Sequence, residues 1–213
     1  MRFLSPLRYP GGKARLAPFF ARVKWAQDRD LDTYAEPFAG GVGAGLQLLS
    51  QGHIKHLAIN DLNPGIAAFW RSVVHAPEEF CAQIRNVDVS VGSWHHYRER
   101  YESGEGDDLQ LGFATFFLNR TNRSGILNAR PIGGFEQTGK WKIDARFNKD
   151  GLCERVRTIA RYSDRISVSQ LDAVEFLKLL PAPQTTLVFV DPPYLKQGDR
   201  LYFNRFSGSA HEQ

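Results

Sequence analysis

Cysteine is scarce in this sequence: Cys81 and Cys153 are the only two among 213 residues. Two thiols cannot make a disulfide framework, and the chain reads as cytoplasmic with reduced cysteines. Neither cysteine has a histidine at zinc-site spacing, so no metal site is expected. Long apolar runs are missing as well. None approaches the roughly 20 residues that cross a bilayer, which excludes a transmembrane helix. The opening stretch, "MRFLSPLRYPGGKARL", lacks the continuous apolar centre of a signal peptide. Internal repeats and low-complexity linkers are absent too.

What is present is a chain with 42% hydrophobic residues, enough for one domain with a real core and a small insertion. Its net charge of +4 is unevenly placed. Between Asn119 and Arg165 lie eleven basic and five acidic residues, so this segment alone exceeds the excess of the whole chain. A basic stretch suits a polyanion partner, although charge alone also suits a solvated face.

Hydrophobic spacing predicts helices over "KARLAPFFARVKWAQ", "GLQLLSQG", "NPGIAAFWRSVVH", "PEEFCAQIRNV", "SWHHYRERYES", "DDLQLGFATFFLNR", "GLCERVRTIARYSDR" and "AVEFLKLL". It predicts strands over "TYAEPF", "HLAIND", "ISVSQ" and "TLVFV". Strands alternating with helices at both ends of the chain argue for an α/β fold with a mostly parallel sheet. Residues 1–76 and 150–213 would form the sheet domain, and 77–149 a helical and irregular insertion. From Thr121 to Lys149 the pattern breaks into Gly, Asn, Arg and isolated aromatics, with room for turns or a hairpin. An irregular stretch this long is usually functional.

Two strand ends carry chemistry. In an open parallel sheet, ligands bind beyond the carboxyl ends of the strands. "EPFAGGVGAG" lies at one such end, where Gly40 and its neighbours let backbone approach a ligand. Asp61 ends the next strand, 20 residues after Gly41, where a carboxylate grips ribose hydroxyls in nucleoside-cofactor folds. The glycines do not complete a dinucleotide fingerprint. "GGKAR" is no P-loop either, lacking Ser or Thr after Lys13 and the upstream glycine. A nucleoside without a pyrophosphate fits better. S-adenosylmethionine meets that description, and its sulfonium would favour the π faces of Phe38 or Tyr9.

The other strand end is "LVFVDPPY". An aromatic exocyclic amine is a poor nucleophile because its lone pair is delocalised into the ring. Accepting hydrogen bonds from both its N–H groups localises that pair. Asp191 and the carbonyl of Pro192, held rigid by Pro193, can be the acceptors, and Tyr194 offers a face for the base. A Pro–Pro pair alone would usually only stop a strand; Asp-Pro-Pro-Tyr after a buried strand is far more specific.

These motifs, in this order, resemble the Dam-like DNA adenine methyltransferases of bacteria and phages. "RYPGGK" is similar to the family's N-terminal cofactor motif, with Tyr9 and Pro10 in place of the usual Trp-Ala. "EPFAGGVGAG", "INDLN", "FFLNRTNRSGIL" and "DPPY" resemble its glycine, acidic, recognition and catalytic motifs. The resemblance implies a Rossmann-like methyltransferase sheet with S-adenosylmethionine lined by Tyr9, Lys13, Phe38, Asp61 and Asp191. It implies catalysis by the Asp191–Tyr194 motif and a DNA-recognition insertion with Asn119, Arg120, Asn122 and Arg123 near double-stranded DNA. The target base would be flipped out of the stack onto Tyr194. Family members continue with further strands after the catalytic motif. The sheet is therefore expected to be C-terminally incomplete, its "TLVFV" strand apolar on both faces and open to self-association. Two further readings stand beside DNA adenine methylation: a silent DNA- or cofactor-binding remnant, and methylation of RNA or a protein amide.

Overall fold

Four short strands form one parallel sheet in the order β3-β2-β1-β4. They are β1 (Thr33–Glu36), β2 (His56–Asn60), β3 (Ile166–Ser169) and β4 (Thr186–Val188). The computed structural model describes residues 4–9, 13–27, 29–181 and 185–192. Tyr34 is in register with Leu57 on one side and Leu187 on the other. Every residue of β1 is buried. A strand enclosed on both faces and both edges has no solvent side, which explains why its sequence shows no polar alternation.

The helices are α1 (Ala17–Ala26), α2 (Gly43–Ser50), α3 (Pro64–His75), α4 (Pro77–Asn86), α5 (Val91–Ser103), α6 (Asp108–Thr121), α7 (Lys149–Ala160) and α8 (Ala173–Leu179). A 3₁₀ turn, Lys13–Leu16, leads into α1. Local chemistry sets their ends. Asn63 caps α3 by accepting from the Gly65 and Ile66 amides at 2.9 and 3.3 Å, with Pro64 supplying a pre-set first helical residue. Asp107 caps α6 through the Gln110 amide at 2.8 Å. Gly52, at φ +74°, takes the left-handed turn after α2.

Helices α4, α5 and α6 share one core with the sheet and with α3 and α7. α6 packs along α3, and α4 packs on α7. Phe69 of α3, Phe80 of α4, and Phe113 and Phe116 of α6 are fully buried, with ring centroids 5.3–5.9 Å apart. Burying each such ring stabilises the fold by about 1.5–3 kcal/mol. The strongly apolar face of α6 is spent here.

Two expectations differ from the structure. The Thr121–Lys149 stretch holds no strand hairpin; it has two 3₁₀ turns, Arg123–Gly125 and Ile143–Arg146, and one isolated bridge between Asn122 and Pro131. Among the described residues, β4 pairs only with β1 and stands at the sheet edge. It is not fully enclosed: Leu187, Val188 and Phe189 are half-buried and Val190 is 53% exposed. On one face Phe189 meets Phe20 of α1 at 4.8 Å, and on the other Val188 lies with Ala35, Ala58 and Phe176 of α8. Among the described residues that second face is covered by α8 with Leu171 and Leu180, and the two alanines offer little side chain.

Candidate active site

The turn after β1 is held from three sides. The Ala39 amide donates to the Asn60 carbonyl at 2.8 Å, which ties the turn to the end of β2. The Gly40 amide donates to Asp61 Oδ2 at 2.9 Å, and the Gly40 carbonyl accepts from Trp70 Nε1 of α3 at 2.9 Å. Gly40 sits at φ +45°, and a Cβ there would lie 2.7 Å from the Tyr9 ring. Glycine is favoured on both counts. Val42, before the first residue of α2, also has a positive φ, +47°. A β-branched residue in that region is strained by about 1–2 kcal/mol, and close packing around its buried side chain holds it there.

Asp61 completes the turn. Its Oδ1 accepts the Asn63 amide at 3.0 Å, while Oδ2 takes Gly40. Burial pushes its carboxyl up to about 6, against the pull of those two backbone donors. Each carboxylate oxygen accepts more than one hydrogen bond, so this half-buried group retains acceptor capacity.

A second cluster joins the N-terminal segment to the end of β4. Lys13 Nζ lies 3.0 Å from Asp191 Oδ2, both side chains partly accessible. Within reach of their charges is Glu36, only 6% exposed, whose Oε1 accepts the Gly45 amide of α2 at 3.2 Å. Burial raises the Glu36 carboxyl to about 8, with the Asp191 charge adding to the rise and Lys13 and the Gly45 donor opposing it. The surroundings of Glu36 therefore favour its protonated form. Tyr34, two residues before Glu36 on the same strand face, is fully buried. Its hydroxyl lies beside Glu36 without reaching hydrogen-bond geometry.

Residues 9–212 match the family described as D12 class N6 adenine-specific DNA methyltransferase. The chain belongs to that family. No curated protein matches it. The family is consistent with the mixed α/β fold and its four-stranded parallel sheet, and it marks the chain as a DNA adenine methyltransferase.

The D12-class "FFLNRTNRSGIL" segment turns inward. Asn119 is fully buried; its Oδ1 accepts the Arg8 amide at 2.7 Å, and its Nδ2 donates to the carbonyls of Arg8 and Gly125, both at 2.8 Å. Asn122 is also fully buried. It accepts from Trp94 Nε1 at 2.6 Å and donates to the carbonyls of Ile126 and Leu127 at 2.9 and 2.8 Å. Arg120 is 9% exposed and donates to the carbonyls of Pro6 and Arg146. These three side chains fold the loop from within. Arg123 is the exposed member of the four, in a segment that also exposes Arg130, Lys140, Lys142 and Arg146. Phe135 and Trp141 lie among these cations, with Arg130 and Lys140 each 5.9 Å from a ring centre.

The structure therefore brings together Tyr9, Lys13, Gly40, Asp61 and Asp191 around two strand ends. Phe38 is half-buried between β1 and the turn, and Pro192 half-buried beside Asp191. Pro193 and Tyr194 lie outside the described residues. No metal-binding cluster occurs among the described residues, and no helix among them is long and apolar enough to cross a membrane. Sequence reading gave no role to Glu36, Tyr34 or Trp70. Glu36 carried a usable signal: an acidic residue at the carboxyl end of an otherwise buried strand.

Proposed function

We propose that this chain transfers a methyl group from S-adenosylmethionine to the exocyclic amine of adenine in double-stranded DNA. The observation that carries this reading is the 3.0 Å ion pair between Lys13 and Asp191. It joins the N-terminal motif to the catalytic motif within reach of the buried Glu36 and beside the glycine turn.

The residues fit the cofactor. Asp61 retains acceptor capacity for ribose hydroxyls at the end of β2, the position such a carboxylate holds in nucleoside-binding sheets. The glycine turn lets backbone come close, and Tyr9 and Phe38 offer ring faces suited to a cation. S-adenosylmethionine, when bound, supplies an electrophilic methyl group on a sulfonium. Asp191 accepts one N–H of the amine and the Pro192 carbonyl the other, which concentrates the nitrogen lone pair toward the attack direction. Methyl transfer would leave the amine with a proton to lose, which Asp191 or water would accept. Lys13 fixes the Asp191 carboxylate so that its orientation does not have to be found at the moment of reaction.

Residues 77–149 serve in this reading as the recognition insertion. Arg123 and its exposed basic neighbours meet the phosphate backbone, while Asn119, Arg120 and Asn122 shape the loop that carries them. A DNA substrate and two free thiols suit the cytoplasm. The test is methyl transfer from isotopically labelled cofactor to duplex DNA, followed by nucleoside analysis. Label in N6-methyladenine supports the proposal. Label confined to RNA or protein, or cofactor binding with no transfer, refutes it.

A further inference from the structure

Four arginines converge where the N-terminal segment meets the insertion, and among the described residues none of them forms an ion pair. Arg120 lies at the centre. It is nine-tenths buried, and its Nε has no hydrogen-bond partner among the described residues. Arg8 donates through Nη1 to the Asn122 carbonyl at 3.1 Å, and Arg155 of α7 through Nη1 to the Ser5 carbonyl at 3.0 Å. Arg146 ends a 3₁₀ turn and is exposed, so the cluster opens to solvent on its side. The Ser5 hydroxyl is a second buried polar group without a partner. Every acceptor these guanidinium groups use is a neutral backbone carbonyl. Asp144 and Glu154, the carboxylates nearest Arg146 and Arg155 in sequence, are exposed and pair with none of the four.

A buried cation is normally paired. Here burial pulls the Arg120 guanidinium down to about 9, and the charges of Arg8, Arg155 and Arg146 pull in the same direction. A doubly or singly charged oxyanion with several acceptor oxygens would relieve that repulsion and satisfy the idle donors, and the planar fork of arginine matches phosphate geometry.

We propose that Arg8, Arg120, Arg146 and Arg155 form a binding site for one tetrahedral oxyanion, a phosphate group. Its source is either a phosphodiester of the nucleic-acid backbone or free inorganic phosphate. The site does not depend on the methyl-transfer reading, because phosphate alone probes it.

The experiment has two arms. In the first, thermal melting of the full chain is compared in inorganic phosphate and in chloride at equal ionic strength. Phosphate should raise the Tm of the parent, and Arg146→Gln and Arg155→Gln should each abolish that rise. These two positions avoid the buried Arg120, whose loss could unfold the chain. In the second, duplex DNA binding is measured against salt. A backbone phosphate in the site makes the log–log slope of Arg155→Gln, a position outside the exposed basic segment, shallower by roughly 0.9, and inorganic phosphate competes with DNA. A phosphate-specific Tm rise lost in both variants, with an unchanged DNA slope, assigns the site to free phosphate. No phosphate-specific rise in the parent, or a rise that persists in both variants, overturns the proposal.

Discussion

Replacing Glu36 with Gln tests whether a proton is held beside the candidate active site. Gln keeps the acceptor for the Gly45 amide and mimics the protonated carboxyl, but it cannot ionise. The Glu36 carboxyl is raised from 4.5 to about 8, so the folded protein holds a proton that the unfolded chain has lost. A raised carboxyl stabilises the fold fully below 4.5, and that contribution is lost as pH rises through 8. Each pH unit is worth about 1.4 kcal/mol, so the parent loses about 3 kcal/mol from this group by pH 7 and about 5 kcal/mol by pH 9. Asp61, raised from 3.8 to about 6, acts in the same direction but finishes near pH 6, and it is present in parent and variant alike. The discriminating window is therefore pH 6 to 9. Urea denaturation should show the parent losing about 3 kcal/mol more than Glu36→Gln across it. Equal losses would refute the assignment of a buried proton to Glu36.

Asp191→Ala should abolish methyl transfer while leaving DNA binding nearly intact, because affinity rests mostly on phosphate contacts; substantial turnover in a single-turnover assay would sink the amine-acceptor role. Asp61→Ala should weaken S-adenosylmethionine binding at least tenfold in calorimetry, and unchanged affinity would remove the ribose assignment. Asn119→Ala should cost about 3 kcal/mol of stability, since it strands a buried amide and two carbonyls. Arg123→Ala, at an exposed position, should weaken DNA binding with no change in Tm; the opposite pattern in the two variants would reverse their roles. Gly40→Ala should destabilise the fold and weaken cofactor binding, because the new Cβ would lie 2.7 Å from the Tyr9 ring. A variant with parent-like Tm and affinity would show that Tyr9 gives way freely.

The parallel sheet was legible because β1 and β2 are short, apolar and followed by glycine or acidic turns. Helix α3 was legible from Pro64 at its first turn, and α6 from its apolar content. Asp61 and Asp191 stood out in the sequence because each carboxylate ends an apolar strand; the structure gives Asp61 two backbone hydrogen bonds and Asp191 an ion pair with Lys13. Asn119 and Asn122 were harder to read. Their partners include Arg8, 111 residues from Asn119, and Trp94, 28 residues from Asn122, and no local pattern reports such distances. Side-chain amides suit buried loop staples as well as base edges, so residue type alone does not separate the two. The exposure of Val190 escaped for a related reason: an apolar run reveals a preference for burial, while neighbouring elements decide whether burial is available. Glu36 shows the converse, since a carboxyl that reads as charged in sequence lies where burial favours its neutral form.

The two hydrogen bonds between Asn119 and the backbone of Arg8 have a mechanical consequence. One side-chain amide grips both the N–H and the C=O of the same residue, as a neighbouring strand would. Arg8 is covalently next to Tyr9, whose ring rests on Gly40. Asn119 lies on the last turn of α6, where the loop that carries Arg123 begins. That path would carry a displacement of the loop within a few bonds to the glycine turn, and under the proposed function a ligand that stiffens the turn would stiffen the loop. Linkage makes such a coupling symmetric: any change in cofactor affinity caused by DNA is matched by an equal change in DNA affinity caused by cofactor.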